Sequence, residues 1–255
     1  MVTSAALTTL ATPSLRRRLE EDRLLVLPGA ANALTARMIE DAGFEAVYVT
    51  GARIANTFLG VPDIGLLTLT QLADHVASMS DAVSIPLVVD MDTGFGNAVG
   101  VGHTVRVLER AGASALQIED QTFPKRCGHF SGKEVVSRDE MVGKIHAAVD
   151  ARRSDDLLII ARTDAAAVHG LDDAIDRANA YQEAGADVLF VGGSRVNRRH
   201  RDGRRTGPGP ENPEHSGAPS PVDPFRSQEC ADEAQDFAGL SEAAEMALVG
   251  HQDEL

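Results

Sequence analysis

The sequence predicts an α/β fold of the (β/α)8 barrel type, built from about six βα units and incomplete at its C-terminal end. Three observations predict it. One pattern recurs three times, as AGFEAVYVT at 42–50, AGASALQIE at 111–119 and AGADVLFVG at 184–192, with spacings of 69 and 73 residues that each suit two βα units. Short, nearly continuous apolar strands alternate with helical periodicity, which signals a parallel sheet covered on both faces. Chemically active side chains stand at the end of strand after strand, as they do around the C-terminal mouth of a barrel.

The elements follow in order. LLVLPG at 24–29 is the first strand and a helical pattern occupies 30–42; the second strand ends at Thr50-Gly51. A helix over 69–80 leads to the strand PLVVDMD at 86–92, and a helix over 101–111 leads to a strand ending in Glu119-Asp120. A helix over 138–151 precedes LLIIARTD at 157–164, and a helix over 171–184 precedes the sixth strand. In each of the three repeats Ala-Gly closes a helix, the glycine supplying the left-handed cap. An open doubly wound sheet would instead carry a glycine-rich phosphate loop after its first strand. LPGAANAL lacks that loop, and GFGNAVG at 94–100 has the wrong spacing for a dinucleotide fingerprint.

Composition narrows the function. With 24 basic against 38 acidic residues, the net charge of −14 argues against a general nucleic-acid binder, which needs clustered base to neutralise phosphates. Cys127 and Cys230 cannot form a disulfide framework, and neither a secretory h-region nor an apolar run of membrane-spanning length is present. A cytoplasmic protein acting on small molecules is expected, with no nucleic-acid or membrane partner. The averages conceal two parts. Residues 1–191 form the partial barrel domain, whereas 192–255 hold six of the eleven prolines. Six of the eleven residues from Arg195 to Arg205 are arginine, and GPGPENPEHSGAPSPVDP follows. Such a tail cannot offset its ordering entropy and is expected to be largely disordered, apart from a helical pattern in SEAAEMALV near its end.

Three constellations carry chemistry. Asp90 and Asp92 in DMDTGFG are hard oxygen donors two residues apart at a strand end, and Glu119 arrives at the next strand end. A bare pair of acids also starts loops and caps helices, but three converging carboxylates are costly without a cation, which points to Mg²⁺. In FPKRCGHF at 123–130, Lys125, Arg126 and His129 surround Cys127 with positive charge that stabilises a thiolate, and Gly128 and Gly132 make the segment a plausible lid. Arg162 in ARTD is a natural fork for a substrate carboxylate, or else an internal ion-pair partner for a nearby acid. His75, His103 and His169 have no companions at catalytic spacing and are read as structural or surface residues.

Taken together, PGAANALTARMIEDAGFEAVYVTG, GVPDIG, DMDTGFG, IEDQTFPKRCGH and ARTDA closely resemble the isocitrate lyase and phosphoenolpyruvate mutase superfamily, over roughly 24–190. The Lys-Arg-Cys-Gly-His segment resembles the 2-methylisocitrate and isocitrate lyase branch, and the compact length before it is more like the methylisocitrate lyases. The resemblance implies Thr50, Gly51, Ala52 and Arg162 at the substrate, and Asp90, Asp92 and Asp63 at or beside a Mg²⁺ or Mn²⁺ site. It implies Cys127, Lys125, His129 and Glu119 as catalytic residues, Glu119 also belonging to the metal's surroundings. The implied reaction cleaves a 2-hydroxy tricarboxylate to succinate and an α-keto acid. An oxaloacetate decarboxylase or a phosphonopyruvate hydrolase or mutase is the alternative within the superfamily.

The sequence also departs from the pattern. Thr50 and Ala52 stand where serine and glycine are common. After Val191, where the family reads Phe-Val-Glu-Ala-Pro with the glutamate in the active site, this chain reads Gly192-Gly193-Ser194. The last two βα units, and the helix that family members exchange between subunits of a homo-oligomer, do not follow. A single-base insertion near codon 192 would account for both, since the codons for Gly192-Gly193-Ser194-Arg195-Val196 can be chosen so that the shifted frame reads Glu-Ala-Pro-Glu. An inactive remnant with two unpaired sheet edges is therefore a competing expectation.

Overall fold

The computed structural model describes residues 14–21, 24–126, 132–192 and 245–248. Six parallel strands form a curled sheet: β1 (Leu25–Ala30), β2 (Val47–Val49), β3 (Leu87–Asp90), β4 (Ala115–Glu119), β5 (Leu158–Thr163) and β6 (Val188–Val191). A seventh strand, β7 (Glu245–Leu248), pairs antiparallel with β1, giving the order β6-β5-β4-β3-β2-β1-β7. Helices connect the parallel strands: α2 (Ala33–Asp41), α4 (Leu69–Ala82), α5 (Ala98–Arg110), α6 (Arg138–Ala151) and α8 (Leu171–Glu183). The short α1 (Leu15–Leu19), α3 (Gly51–Ile54) and α7 (Ala165–Val168), and a π-helical turn at Ala55–Leu59, are additions the periodicity does not reveal. Each is too short to show a 3.6-residue repeat.

Local chemistry sets the boundaries. The Asn32 side chain accepts from Thr35 N–H, so α2 begins later than its apolar pattern. The Asn97 side chain accepts from the N–H groups of Val99 and Gly100, so α5 begins earlier. Thr68 and Gln71 form a reciprocal capping box on α4, and Ser137 caps α6. The repeated Ala-Gly pairs behave as read: Gly43, Gly112 and Gly185, after α2, α5 and α8, all have positive φ.

Side-chain alternation divides the core in two. Val47, Val49, Leu87, Val89, Leu116, Ile118 and Ile159 pack outward against the helices with Ile39, Leu72, Val76, Val105, Leu108 and Ile145. Leu25, Leu27, Val88, Ala115, Leu158 and Ile160 point into the curl, where Leu15 of α1 plugs the lower end. The β6 residues are only half-buried.

The pairing of β7 corrects two expectations. Residues 245–248 form a strand, not part of the helix expected over SEAAEMALV, because the open edge of β1 offers unpaired backbone groups to any extended segment. That edge is consequently covered from the tail, in a register that matches Leu25 with Leu248 and Pro28 with Glu245. Cys127, His129 and Cys230, and residues 193–244, lie outside the described residues. No helix among the described residues is long and apolar enough to cross a membrane.

Candidate active site

Inward alternation carries the chemistry to the C-terminal ends of the strands. Val88 points in, so Asp90 does too; Ala115 points in, so Gln117 and Glu119 do; Ile160 points in, so Arg162 does. The parallel register then sets Asp90 beside Gln117 and Glu119 beside Arg162, with Phe190 next in line. The resulting row of acid, amide, acid, guanidinium and aromatic ring follows from strand register alone.

Asp92 joins the row by another route than the strand alternation expected. It lies beyond β3 in the left-handed region, φ 49°, and so does Phe95, φ 57°. This turn is held from several sides. Its backbone is bonded from Glu119 N–H to Asp92 O (2.9 Å), Lys144 Nζ to Thr93 O (3.2 Å) and Thr104 Oγ1 to Gly94 O (3.0 Å). A Cβ on Gly94 would lie 2.5 Å from Val101 Cγ2, so only glycine fits there. Backbone forced into sparsely populated geometry by so many contacts is a feature of functional sites.

Lys125 is drawn into the acids. Its Nζ lies 2.5 Å from Asp63 Oδ2 and 2.8 Å from Asp92 Oδ1, and all three side chains are nearly fully buried. Lys125 thus ties the GVPDIG loop to the turn after β3. The Asp92 contact is an ion pair out of line for a hydrogen bond, so Asp92 Oδ1 has no donor aligned on it, and Glu119 Oε1 is likewise buried without a partner. Thr50, Gly51 and Ala52 stand at the start of α3, and Gly51 faces the same acids: a Cβ on it would lie 3.5 Å from Asp92 Oδ1 and 4.0 Å from Asp90 Oδ2.

Arg162 shows the internal ion pairing that its sequence motif allowed. Its Nη1 is 3.5 Å from Glu119 Oε2 and its Nη2 donates to Asp164 Oδ1 at 3.1 Å, while Nε is buried with no partner. The guanidinium carbon lies 5.3 Å from the centre of the Phe190 ring, a cation–π contact. Ion pairing orients the fork and leaves the buried Nε donor unused.

The electrostatics are those of buried like charges. Burial, reinforced by Asp90 and Asp63 and opposed by Lys125, pushes the Asp92 carboxyl up to about 7. Burial likewise raises Glu119 to about 8, against the pull of Arg162 and Lys125. The acids in turn hold the Lys125 ammonium protonated well above its ordinary range, outweighing its burial. Asp164 moves the other way, because Arg162 and Lys133 more than offset its burial.

Among the described residues, no group of three or more His, Cys, Asp and Glu side chains is set to hold a metal ion as it stands. The donor set nonetheless fits a hard divalent cation, since Asp92 Oδ1 and Glu119 Oε1 keep unused lone pairs in a buried, acid-rich site. A cavity of about 430 Å³ lies elsewhere, at the opposite ends of the strands, lined by Leu87, Ser114 and Leu157 among others.

Sequence reasoning missed Tyr48, Gln117, Gln121 and Lys133. Gln117 Nε2 donates to Tyr48 Oη at 2.9 Å beneath the acids, and strict alternation along β2 and β4 was the signal that could have found both. His75 packs edge-on against Phe58 at 4.9 Å, and His103 and His169 are exposed, in keeping with structural or surface roles.

The geometry can be set beside known proteins. The family described as phosphoenolpyruvate phosphomutase matches residues 15–201. The chain belongs to this family. A 2,3-dimethylmalate lyase from Eubacterium barkeri is 49% identical over 177 residues, covering 69% of this chain and 61% of that protein. A 2-methylisocitrate lyase from Aeropyrum pernix is 51% identical over 176 residues, 69% of this chain and 56% of the relative. The chain thus spans about three fifths of the length of these relatives. The crystal structure of 2,3-dimethylmalate lyase, a member of the PEP mutase/isocitrate lyase superfamily, superposes with a TM-score of 0.69 at 41% identity, covering 76% of this chain and 63% of that one. A phosphonopyruvate hydrolase in complex with oxalate and Mg²⁺ gives 0.66 at 38% identity, over 71% and 62%. These neighbours are similar over the six-stranded body of this family member, where Asp63, Asp90, Asp92, Glu119, Lys125 and Arg162 lie.

Proposed function

We propose that this chain carries the active centre of a Mg²⁺-dependent carbon–carbon lyase that cleaves a 2-hydroxy tricarboxylate, 2-methylisocitrate or isocitrate, to succinate and an α-keto acid. The observation that carries this reading is the pairing of two unlike halves. Glu119 offers a carboxylate oxygen without a hydrogen bond beside Asp90, Asp92 Oδ1 is held only by its ion pair to Lys125, and Arg162 offers an Nε donor without a hydrogen-bond partner beside Glu119. An acid-lined half that takes a divalent cation and a cationic half that takes a carboxylate together suit a small polycarboxylate.

Asp90, Asp92 and Glu119 would hold the ion, with Asp63 tied to the site through Lys125. Bound there, Mg²⁺ supplies charge that stabilises the developing oxyanion and orients the hydroxyl and carboxylate. Arg162 grips a carboxylate of the substrate through the donor it leaves unused, and Thr50, Gly51 and Ala52 border the same space. Cleavage removes the hydroxyl proton to a base; the oxygen's electron pair forms the carbonyl of the keto acid as the C–C bond breaks. The succinate carbanion takes a proton from Cys127, whose loop follows directly on the fixed Lys125. His129 would support Lys125 and Cys127 in this role, and the field of Lys125 opposes build-up of negative charge. A cytoplasmic homo-oligomer is the working form proposed.

The test is Mg²⁺-dependent release of pyruvate from 2-methylisocitrate, run beside isocitrate, oxaloacetate and phosphonopyruvate, with Cys127→Ser as the paired variant. Keto-acid release from a tricarboxylate that depends on Cys127 supports the reading. Turnover of oxaloacetate or phosphonopyruvate alone assigns the chain to the alternative, an oxaloacetate decarboxylase or a phosphonopyruvate hydrolase or mutase.

A further inference from the structure

We infer that Asp164 is a positioning residue that fixes the orientation of Arg162 and ties it to the backbone on both sides of the Cys127 segment. The inference rests on the functional reading above, in which Arg162 grips substrate. Asp164 is fully buried at the end of β5 and gathers three donors. Oδ1 accepts from Lys133 Nζ at 2.9 Å and Arg162 Nη2 at 3.1 Å, and Oδ2 accepts from Gln121 Nε2 at 3.2 Å. Gln121 also holds Arg126 by two bonds of 3.0 Å, donating from Nε2 to Arg126 O and accepting from Arg126 N–H. Gln121 and Arg126 precede the Cys127 segment and Lys133 follows it, so one carboxylate links the backbone on both sides to the substrate-gripping fork.

The carboxylate is itself fixed. Asp164 N–H donates to Asp120 Oδ1 at 2.9 Å. Asp120 Oδ2 in turn takes Thr163 Oγ1 at 2.7 Å, Tyr181 Oη at 2.8 Å and Arg177 Nη1 at 3.3 Å. The network therefore runs from α8 through two strand ends to Arg162. A guanidinium held by a charge-assisted bond to Asp164 on one side and a 3.5 Å ion pair to Glu119 on the other has little freedom to rotate, which is what a preorganised substrate clamp requires. Gly192 completes the enclosure: a Cβ there would stand 2.7 Å from Asp164 Oδ1 and 3.3 Å from Arg162 Nε. Any side chain at 192 displaces the carboxylate or contacts the guanidinium.

The experiment reads Arg162 directly, by NMR of the guanidinium N–H groups in the full chain without ligand, the signal being assigned by its loss in Arg162→Lys. The expected result is a slowly exchanging Arg162 signal that is lost or shifted in Asp164→Asn. It should move also in Gly192→Ala, which alters no charge and guards against a failure of the Asn variant to fold. An Arg162 signal unchanged in either folded variant overturns the inference. Oxalate affinity in the presence of Mg²⁺ supplies the second arm. Each variant should weaken oxalate about tenfold or more, and neither should weaken it further in an Arg162→Ala background, whereas effects that multiply would contradict action through Arg162. Failure of the unaltered chain to bind oxalate defeats the functional reading, and the NMR arm then still decides the positioning claim.

Discussion

Glu119 and Arg162 face one another across the β4–β5 register, Arg162 Nη1 standing 3.5 Å from Glu119 Oε2 while Arg162 Nε remains buried without a partner. The pair sits where the acidic half of the site meets its cationic half. Removing the guanidinium should therefore act on carboxylate binding before it acts on the cation. Hydrogen bonds to charged groups are worth about 1.5–3 kcal/mol, so Arg162→Ala should weaken oxalate by roughly tenfold to a hundredfold. Titration calorimetry with oxalate and Mg²⁺ measures this, and an affinity within twofold of the unaltered chain would contradict it.

Lys125 should be the most costly cation to remove. Its ammonium answers Asp63 at 2.5 Å and Asp92 at 2.8 Å, with all three side chains nearly fully buried. Lys125→Met leaves those charges unanswered, and breaking a buried ion pair on one side typically costs about 3–5 kcal/mol. Denaturant unfolding should show the loss, with part of it recovered by added Mg²⁺. A midpoint unchanged from the parent would mean that the acids are not charged beside Lys125.

The raised carboxyls set a pH dependence. Asp92 at about 7 and Glu119 at about 8 take up protons in the folded chain that they release when unfolded. Their contribution to stability is therefore fully present below the ordinary carboxylate range and is lost as pH rises through 7 and 8. Without metal, thermal midpoints should fall from pH 5 to 8.5. Mg²⁺ should bind more tightly at the upper end and displace protons as it does. Midpoints independent of pH, or Mg²⁺ binding without proton release, would count against the carboxylate cluster as its site.

Strand β7 predicts a different behaviour. Its antiparallel pairing covers the β1 edge, so ending the chain after Gly192 should expose a row of unpaired backbone groups. The shortened chain should scatter light at concentrations where the full chain does not. Ala247→Pro, which removes an N–H from the pairing opposite Val26, should move the full chain in the same direction. Equal scattering from all three would show that β7 does not protect the edge.

The parallel sheet and the strand-end chemistry were legible because each repeat couples a helix-ending Ala-Gly to a short apolar strand, and Gly43, Gly112 and Gly185 do adopt the conformation this demands. Glu119 and Arg162 were legible for the same reason, as inward-facing strand ends. Asp92 was legible as a residue but not in its geometry, since a left-handed turn held by Glu119, Lys144 and Thr104 depends on contacts distant in sequence. The Lys125 pairing with Asp63 spans 62 residues, and no local pattern announces it. The pairing of β7 was hidden for a further reason: SEAAEMALV has helical periodicity, and a waiting sheet edge overrides so weak a local preference.

The most direct measurement is keto-acid release from 2-methylisocitrate by the full chain, with and without Mg²⁺, beside Asp92→Asn and Glu119→Gln. The account predicts equimolar pyruvate and succinate, no product when Mg²⁺ is chelated, and loss of at least a hundredfold in either variant, about the scale of removing one group that stabilises transition-state charge. Product formation that survives chelation, or that either variant retains, would contradict it.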